Sequence, residues 1–370
     1  MVDSAPDAGP VTALCPRALT PRPAAVSPAD LAAVTVELGR PARSVHSVAH
    51  RCGCGLPDVV TTEPRLPDGT PFPTTYYLTC PRAASAVGRL EGAGVMARMT
   101  AELGTDAVLA AGHRAAHRAY LTARARLGQV AEIAGVSAGG MPDRVKCLHV
   151  LAAHELADGP GVNPLGARVV AELDADGSWG GIGPCVELSA APFTVRPARA
   201  EDLPRYLAIR NDAARWMLDH GIDQWQPGEY DAVAATGLAA GDLHVAELAG
   251  VVVGGLRLMD ADADVWPEAI GEPGVGYVHG LVLDRSVARL GLGGRLLDWA
   301  ADSVRTAGGT LLRLDCRASN DRLRAFYADA GFTEVSVREV DFAFRPGSTT
   351  RLVRFQRQLG VVGDPDGAGK

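Results

Sequence analysis

The sequence predicts an α+β chain of two domains. A mainly helical module bearing cysteines and histidines comes first, and a mixed sheet flanked by helices follows. Three observations predict this. At 370 residues the chain is long enough for two cores. A stretch rich in Asp and Gly, ELDADGSWGGIGPCVELSAAP at 172–192, interrupts the pattern and reads as a linker. Beyond it the hydrophobic period changes from helical to short strands alternating with helices. The domains are therefore expected at 28–171 and 193–360. The flanking segments 1–27 and 361–370 read as disordered tails.

Each element has a local reason. Ser27-Pro28-Ala29-Asp30 supplies an N-cap, a proline at the first helical position and an acid at the third, so a helix should run to about Leu38. Residues 46–82 are rich in Cys, Gly, Pro and Thr, with one strand-like run at Thr74–Thr79. Residues 83–128 read as two helices, the second at about 105–127, where Ala, Leu and Tyr recur at helical spacing. A loop at 135–144 precedes a helix at Val145–Leu156, which ends before Gly159-Pro160-Gly161. After the linker come a strand at Phe193–Arg196, a helix at 201–219, and a hairpin of 243–248 and 251–259 around Ala249-Gly250. A strand at 276–283, a helix at 293–307, a strand at 310–316, a helix at 320–329 and strands near 333–343 and 351–358 complete the pattern.

The net charge of −7 argues against nucleic acid as a partner. No apolar run is long enough to span a bilayer, so a membrane role is not expected. The N-terminus lacks the basic start and apolar run of a signal peptide, and the cytoplasm is the expected location. Seven cysteines, an odd number with short-spaced pairs, suit a reducing compartment better than a disulfide frame.

The chemistry is most legible at 281–332. The strand residues Leu281, Val282 and Leu283 lead to Gly291-Leu292-Gly293-Gly294, and an amphipathic helix starts at once. A glycine loop at a helix N-terminus lets backbone N–H groups converge on a phosphate. A second strand follows, then Asn320 and, seven residues on, Tyr327.

These residues resemble the GCN5-related N-acetyltransferase superfamily over about 193–360, most closely at 276–335. There Arg317-Ala318-Ser319-Asn320 and FYADAGF at 326–332 look like parts of ribosomal-protein alanine acetyltransferases. The resemblance implies an enzyme, an N-acetyltransferase that moves an acetyl group from acetyl-CoA to an amine by direct attack. The amine belongs to a small molecule or to a protein. The resemblance also implies that the acyl carbonyl and pantetheine lie along Leu281, Val282 and Leu283. The pyrophosphate falls on Arg289, Leu290, Gly291, Leu292, Gly293 and Gly294, with Asn320 near the pantetheine or the amine. The family motif begins with Gln or Arg, where this chain has Ala288, with Arg289 one position on. Tyr327 aligns with the tyrosine that protonates the departing thiolate. Asp315 stands where the alanine acetyltransferases keep a catalytic Glu and is the first candidate base, with Glu272 and His279 as rivals. The loop at 216–230 corresponds to the acceptor-gating region, where Trp216, His220 and Trp225 are candidate pocket residues. The acidic loop at 259–273 would favour a cationic amine. The alternative is a catalytically silent acyl-CoA sensor or adaptor whose N-terminal module docks a partner or binds metal. A protein partner or a homodimer is compatible with either.

In the N-terminal module, Cys52, Cys54, Cys80, Cys147 and His149 are the candidate metal ligands, because thiolate and imidazole are the donors zinc prefers. His154 belongs to the same set of notable residues. Buried free thiols are the competing reading. Gly135-Val-Ser137-Ala-Gly139 matches G-x-S-x-G, but Gly140-Met-Pro-Asp after it is loop chemistry rather than a nucleophile elbow. His113 and His117 share a helical face with Arg114 and Arg118, read as an exposed basic face. From about 30 to 170 the chain resembles a bacterial family catalogued as domain of unknown function five hundred and one. RCGCGLPDVV, DGTPFPTTYYLTCPR, SAGGMPDRVKCLHVLAAHELA and GPGVNPLG carry the resemblance, which implies no chemistry.

Overall fold

The structure is a computed structural model and describes residues 24–175, 177, 179, 184–222, 224–344 and 347–360. The tails expected at 1–27 and 361–370 lie outside these residues, apart from 24–27. The chain forms two compact units, Met1–Glu187 and Leu188–Lys370.

The N-terminal unit opens with strand β1 (Ala24–Ala25) and helix α1 (Pro28–Leu38). Ser27 Oγ accepts from the Asp30 N–H, and the Asp30 carboxylate accepts from the Ser27 N–H, both at 3.1 Å, which is the cap the sequence predicts. Strands β2 (Val45–Arg51), β3 (Pro57–Thr62) and β4 (Tyr76–Leu78) join β1 in an antiparallel sheet ordered β1-β2-β3-β4. Only β4 lies in a run that reads as a strand. In β2 and β3 buried polar groups pair across the sheet, Ser47 with Thr61 and His50 with Asp58 at 2.7 Å, so no apolar alternation marks them.

Helices α2 (Pro81–Gly92), α3 (Val95–Thr105) and α4 (Ala107–Leu127) occupy the stretch expected to hold two. The extra break has two causes. Gly94 stands at φ +78°, and Asp106 accepts from the N–H groups of Val108 and Leu109 at 2.9 Å to start a new helix. Helix α5 (Leu148–Asp158) and helix α6 (Pro164–Ala175) close the unit. The segment read as a linker does more than connect. Helix α6 runs on to Ala175, and Trp179 and Cys185 pack into the N-terminal core. His113 is fully buried and reaches the Arg144 carbonyl at 3.3 Å, so the face it shares with His117 is not an exposed one.

The C-terminal unit follows the predicted order closely. Strand β5 (Phe193–Pro197), helix α7 (Leu203–Asp219), helix α8 (Asp231–Ala240), strands β6 (Leu243–Leu248), β7 (Val251–Met259) and β8 (Val275–Leu283), helix α9 (Leu292–Thr306), strand β9 (Leu311–Arg317), helix α10 (Asp321–Asp329) and strands β10 (Thr333–Asp341) and β11 (Thr349–Gln358) appear in turn. Helix α8 is the addition. The seven strands are ordered β10-β11-β9-β8-β7-β6-β5, antiparallel except for β8 beside β9. Helix α9 covers that parallel pair with Leu296, Leu297, Ala300, Ala301 and Val304, spaced to form one apolar stripe.

The parallel pairing is short. It runs from Val275 opposite Leu311 to Val278 opposite Leu314 and stops. The cause lies on the other edge of β8. Between the pairs Arg257–His279 and Gly255–Val282, β8 spends three residues where β7 spends two. Such a bulge bends the strand that carries it. Gly280 sits in the bulge at φ +61°, and a Cβ there would come within 2.6 Å of Tyr230 Oη. Gly280→Ala is therefore expected to destabilise the protein by about 1–3 kcal/mol. Denaturant unfolding followed by far-ultraviolet circular dichroism, with Gly294→Ala as control, measures this.

Candidate active site

Past Val278 and Leu314 the strands part, and the gap opens into a cavity of about 820 Å³. His279, Gly280 and Leu281 line it from β8, and Asp315, Cys316 and Arg317 from β9. Asn320, Phe326 and Tyr327 line it from α10 and its cap, and Trp216, Gln224, Trp225 and Tyr230 from the segment around α7 and α8. The size suits a small-molecule ligand.

Ala288 and Arg289, in the loop that leads into α9, line the same region, whereas Leu290, Gly291, Leu292, Gly293 and Gly294 do not. Gly291 is the N-cap of α9 at φ +72°, and no side chain caps the helix. The N–H groups of Leu292, Gly293 and Gly294 have no partner within the helix, because its first turn supplies none. Arg285, Arg289, Arg317 and Arg322 all line the cavity, a cationic rim on a chain of net charge −7. Arg289 is held at φ +69°, in the left-handed region, and Ala288 lines the cavity beside it. Free N–H groups at a helix start, together with four guanidinium groups, fit a pyrophosphate-bearing cofactor. Of the strand residues expected at the cofactor, Leu281 faces the cavity. Val282 instead packs with Tyr206 and Ile209, and Leu283 packs against the core under α9.

Asn320 has two fixed roles. Its Oδ1 accepts from the Leu323 N–H at 3.0 Å, capping α10, and its Nδ2 donates to Gln224 Oε1 at 2.5 Å. Tyr327 is buried against Phe355, with ring centres 5.5 Å apart, and lines the cavity. Among the described residues no side chain or carbonyl takes its hydroxyl hydrogen. Burial, with Cys316 and Asp315 nearby, pushes its pKa far up, so the phenol keeps its proton.

A charged triad lies across the mouth of the gap. His279 Nε2 donates to Asp262 Oδ2 at 2.9 Å, and His279 Nδ1 stands 3.7 Å from Asp315 Oδ1. Burial raises Asp315 to about 6, although the His279 charge works the other way. Burial would also raise Asp262, but the His279 hydrogen bond and the N–H groups of Val265 and Asp264 bring it below the usual range. Burial opposes charge on His279, and the two carboxylates overcome it, so its pKa is raised. Asp262 is the residue the sequence does not single out for this site, being one acid among several in its loop.

Glu272 stands elsewhere. It pairs with Arg313 at 2.7 Å and does not line the cavity, so the structure does not bring it to the other candidate bases. Glu268 likewise pairs with Arg354. The acidic loop is thus largely tied up in ion pairs. Trp216 and Trp225 line the cavity, whereas His220 stacks on Trp216 with ring centres 4.1 Å apart. Arg210 is held between Trp225 and Tyr230, 3.9 and 3.7 Å from their ring centres.

In the N-terminal unit the candidate metal ligands separate into two groups. Cys52, Cys54 and Cys80 gather around Cys185. Cys147 and His149 lie with Glu91 instead. His149 Nδ1 faces Glu91 Oε1 and Nε2 faces the Ala84 carbonyl, both at 3.1 Å, and Cys147 and Glu91 raise its pKa to about 9. An imidazolium that donates from both nitrogens has no lone pair for a metal. His154 is also apart, buried between Asp158 and Asn163. Ser137 lies in a loop with no strand entering it, 2.9 Å from His117. Cys185 was missed because it falls in the segment read as a linker.

A mixed sheet split between two parallel strands, with a helix N-terminus and a protonated phenol at the gap, is a frame for acyl transfer. Residues 207–332 match the acetyltransferase (GNAT) family. The uncharacterized N-acetyltransferase YesJ of Bacillus subtilis (strain 168) is 32% identical over 154 residues, covering 40% of this chain and 84% of that protein. The chain belongs to the GNAT family and is an N-acetyltransferase. Residues 48–171 match DUF501, a family of proteins of unknown function. Among solved structures, a GNAT family acetyltransferase from Listeria monocytogenes 4b F2365 is 21% identical with a TM-score of 0.38, over 47% of this chain and 99% of that one. The ribosomal-protein-S18-alanine N-acetyltransferase from Escherichia coli is 16% identical with a TM-score of 0.33, over 47% and 98%. The protein yncA of Salmonella typhimurium, solved with its cofactor acetyl-CoA, is 21% identical with a TM-score of 0.34, over 47% and 98%. No helix among the described residues is long and apolar enough to cross a membrane.

The triad also has a stability consequence. A carboxyl whose pKa is raised on folding favours the folded state below its unfolded value near 3.8 and loses that contribution as pH climbs through about 6. Asp315→Asn is thus expected to leave the thermal midpoint at pH 7 unchanged or higher. A calorimetric scan that found it several degrees lower would show the carboxylate to be a structural ion-pair partner.

Proposed function

We propose that the C-terminal unit transfers an acetyl group from acetyl-CoA to an acceptor amine by direct attack within one ternary complex. The observation that carries this reading is that the strand gap and Tyr327 meet at one cavity, which Ala288 and Arg289 also line just ahead of the uncapped start of α9. The cofactor supplies an acyl thioester, whose carbon is open to attack and whose sulfur leaves as a thiolate.

The chain's own groups divide the remaining work. The first-turn N–H groups of α9 and the guanidinium groups of Arg289 and its neighbours bind the pyrophosphate. The unpaired edges of β8 and β9 accept an extended chain between them, with Leu281 offering an apolar contact. Asp315, with a pKa of about 6, is mostly ionised at neutral pH and takes a proton from the ammonium form of the acceptor, directly or through water. Asp262 orients His279, and His279 holds Asp315 in place and moderates its pKa. Tyr327, which keeps its proton, gives it to the departing sulfur. Trp216 and Trp225 form the acceptor side.

Two measurements test the proposal on the full-length protein. Calorimetry should detect acetyl-CoA binding; none at millimolar cofactor would remove the reading. With an acceptor found from an amine panel, kcat/KM should rise with pH through an ascending limb near 6, and Asp315→Asn should abolish that limb. Tyr327→Phe should lower kcat by about 100-fold or more while leaving cofactor affinity within a few fold. Equal losses in both would make Tyr327 a packing residue. Tight cofactor binding with no acetylation across the panel would favour a sensor.

A further inference from the structure

The cysteines of the N-terminal unit take no part in acetyl transfer, yet three distant segments bring four of them together. The turn after β2 supplies Cys52 and Cys54. It is closed by the Cys52 N–H on the Leu56 carbonyl at 3.0 Å and the Gly55 N–H on the Cys52 carbonyl at 2.8 Å. Cys80 is the N-cap of α2, where its side chain makes no capping bond and stands at the positive end of the helix dipole. Cys185 arrives from the segment beyond α6. Its sulfur lies 3.7 Å from that of Cys52 and 3.5 Å from those of Cys54 and Cys80. The sulfurs of Cys52, Cys54 and Cys185 are all within 4.8 Å of one another, and Cys80, outside that set, joins the cluster through Cys185.

These separations select among the chemistries open to thiols. A disulfide needs about 2.05 Å between sulfurs and joins two of them. Here one sulfur stands at nearly the same distance from three others. A tetrahedral ion with Zn–S bonds of about 2.3 Å holds its sulfurs about 3.8 Å apart. Protonated thiols gain little from such crowding, because each is a weak donor and a weak acceptor. A coordinating thiol gives up its proton to a central dication.

We propose that Cys52, Cys54, Cys80 and Cys185 hold one zinc ion in a closed tetrathiolate site. Four protein ligands leave no position for water or substrate, so the ion's role is structural. It ties the β2–β3 turn to a segment 133 residues further along the chain. Trp179, just before Cys185, is buried in the same core. The ion thus fixes the end of the N-terminal unit. Cys147 and His149 stand apart from this cluster, beside Glu91, and are not among its four ligands.

Elemental analysis of full-length, untagged protein purified without added metal decides the matter. The expected result is about one equivalent of zinc per chain. Less than about half an equivalent of zinc, or iron in its place, would overturn the proposal. Cobalt(II) exchanged into the wild-type protein should give the visible bands of a tetrahedral ion and an intense near-ultraviolet sulfur-to-cobalt band. Cys185→Ser and Cys54→Ser should each lose most of the metal, and Cys147→Ser should keep it. Equal loss in Cys147→Ser, or mass-spectrometric recovery of two disulfides among the four cysteines in freshly purified protein, would overturn it.

Discussion

The cavity of the C-terminal unit depends on two strands ceasing to pair. Strands β8 and β9 share a parallel ladder only as far as Val278 and Leu314. An open ladder edge inside a sheet is costly, because main-chain N–H and C=O groups need partners. The fold tolerates it because the bulge at Gly280 bends β8 while β7 keeps its own pairing on the far side. Gly280 is pinned in turn by Tyr206, whose hydroxyl donates to its carbonyl at 3.0 Å. Everything lining the gap, from His279 to Tyr327, takes its position from that parting.

The gap also sets the electrostatics. A neutral phenol and an ionisable carboxyl stand in one cavity for the same reason, which is removal from water. They differ because a carboxyl starts near 3.8 and a phenol near 10, and the His279 charge beside Asp315 limits the rise of the carboxyl. Asp315 is therefore held near 6, within reach of neutral pH, while Tyr327 stays protonated. The rim carries charge of the opposite kind, with four arginines on a chain that is acidic as a whole. The positive charge is thus local, arising from placement rather than composition.

The N-terminal unit solves a different problem. Its small sheet buries polar pairs such as His50–Asp58, and its helices enclose Tyr76, His154, Asp158 and Asn163 in one hydrogen-bonded group. Arg124, also buried, donates to the carbonyls of Pro73, Ile133 and Val136. Such an interior specifies one arrangement only when each group finds its partner. The four clustered cysteines are one part of it that protein atoms alone leave weakly bonded, and the buried Nδ1 of His113 is another group without a partner among the described residues.

Much of the fold was legible because it rests on short-range physics. The cap at Ser27 and Asp30, the hairpin at Ala249-Gly250 and the stripe on α9 each follow from neighbouring residues. So does the run from Leu281 to Gly294, whose glycine loop at a helix start marks a phosphate cradle. What escaped depended on partners distant in sequence. Strands β2 and β3 were hidden by polar pairs that form only across the sheet. The bulge at Gly280 had a local hint, a glycine inside a strand, but its effect on pairing belongs to two neighbouring strands. Asp262 was one acid among several until His279 stood 2.9 Å away, and Glu272 looked equal to Asp315 until Arg313 claimed it. Cys185 read as part of a linker because no sequence window holds both it and Cys52. The sequence by itself determined most elements of the C-terminal unit and the kind of group the glycine loop can hold, since turns, caps and periodicity act over a few residues. Only the tertiary structure decided which acids and thiols meet, because their pKa values and distances depend on groups tens of residues away.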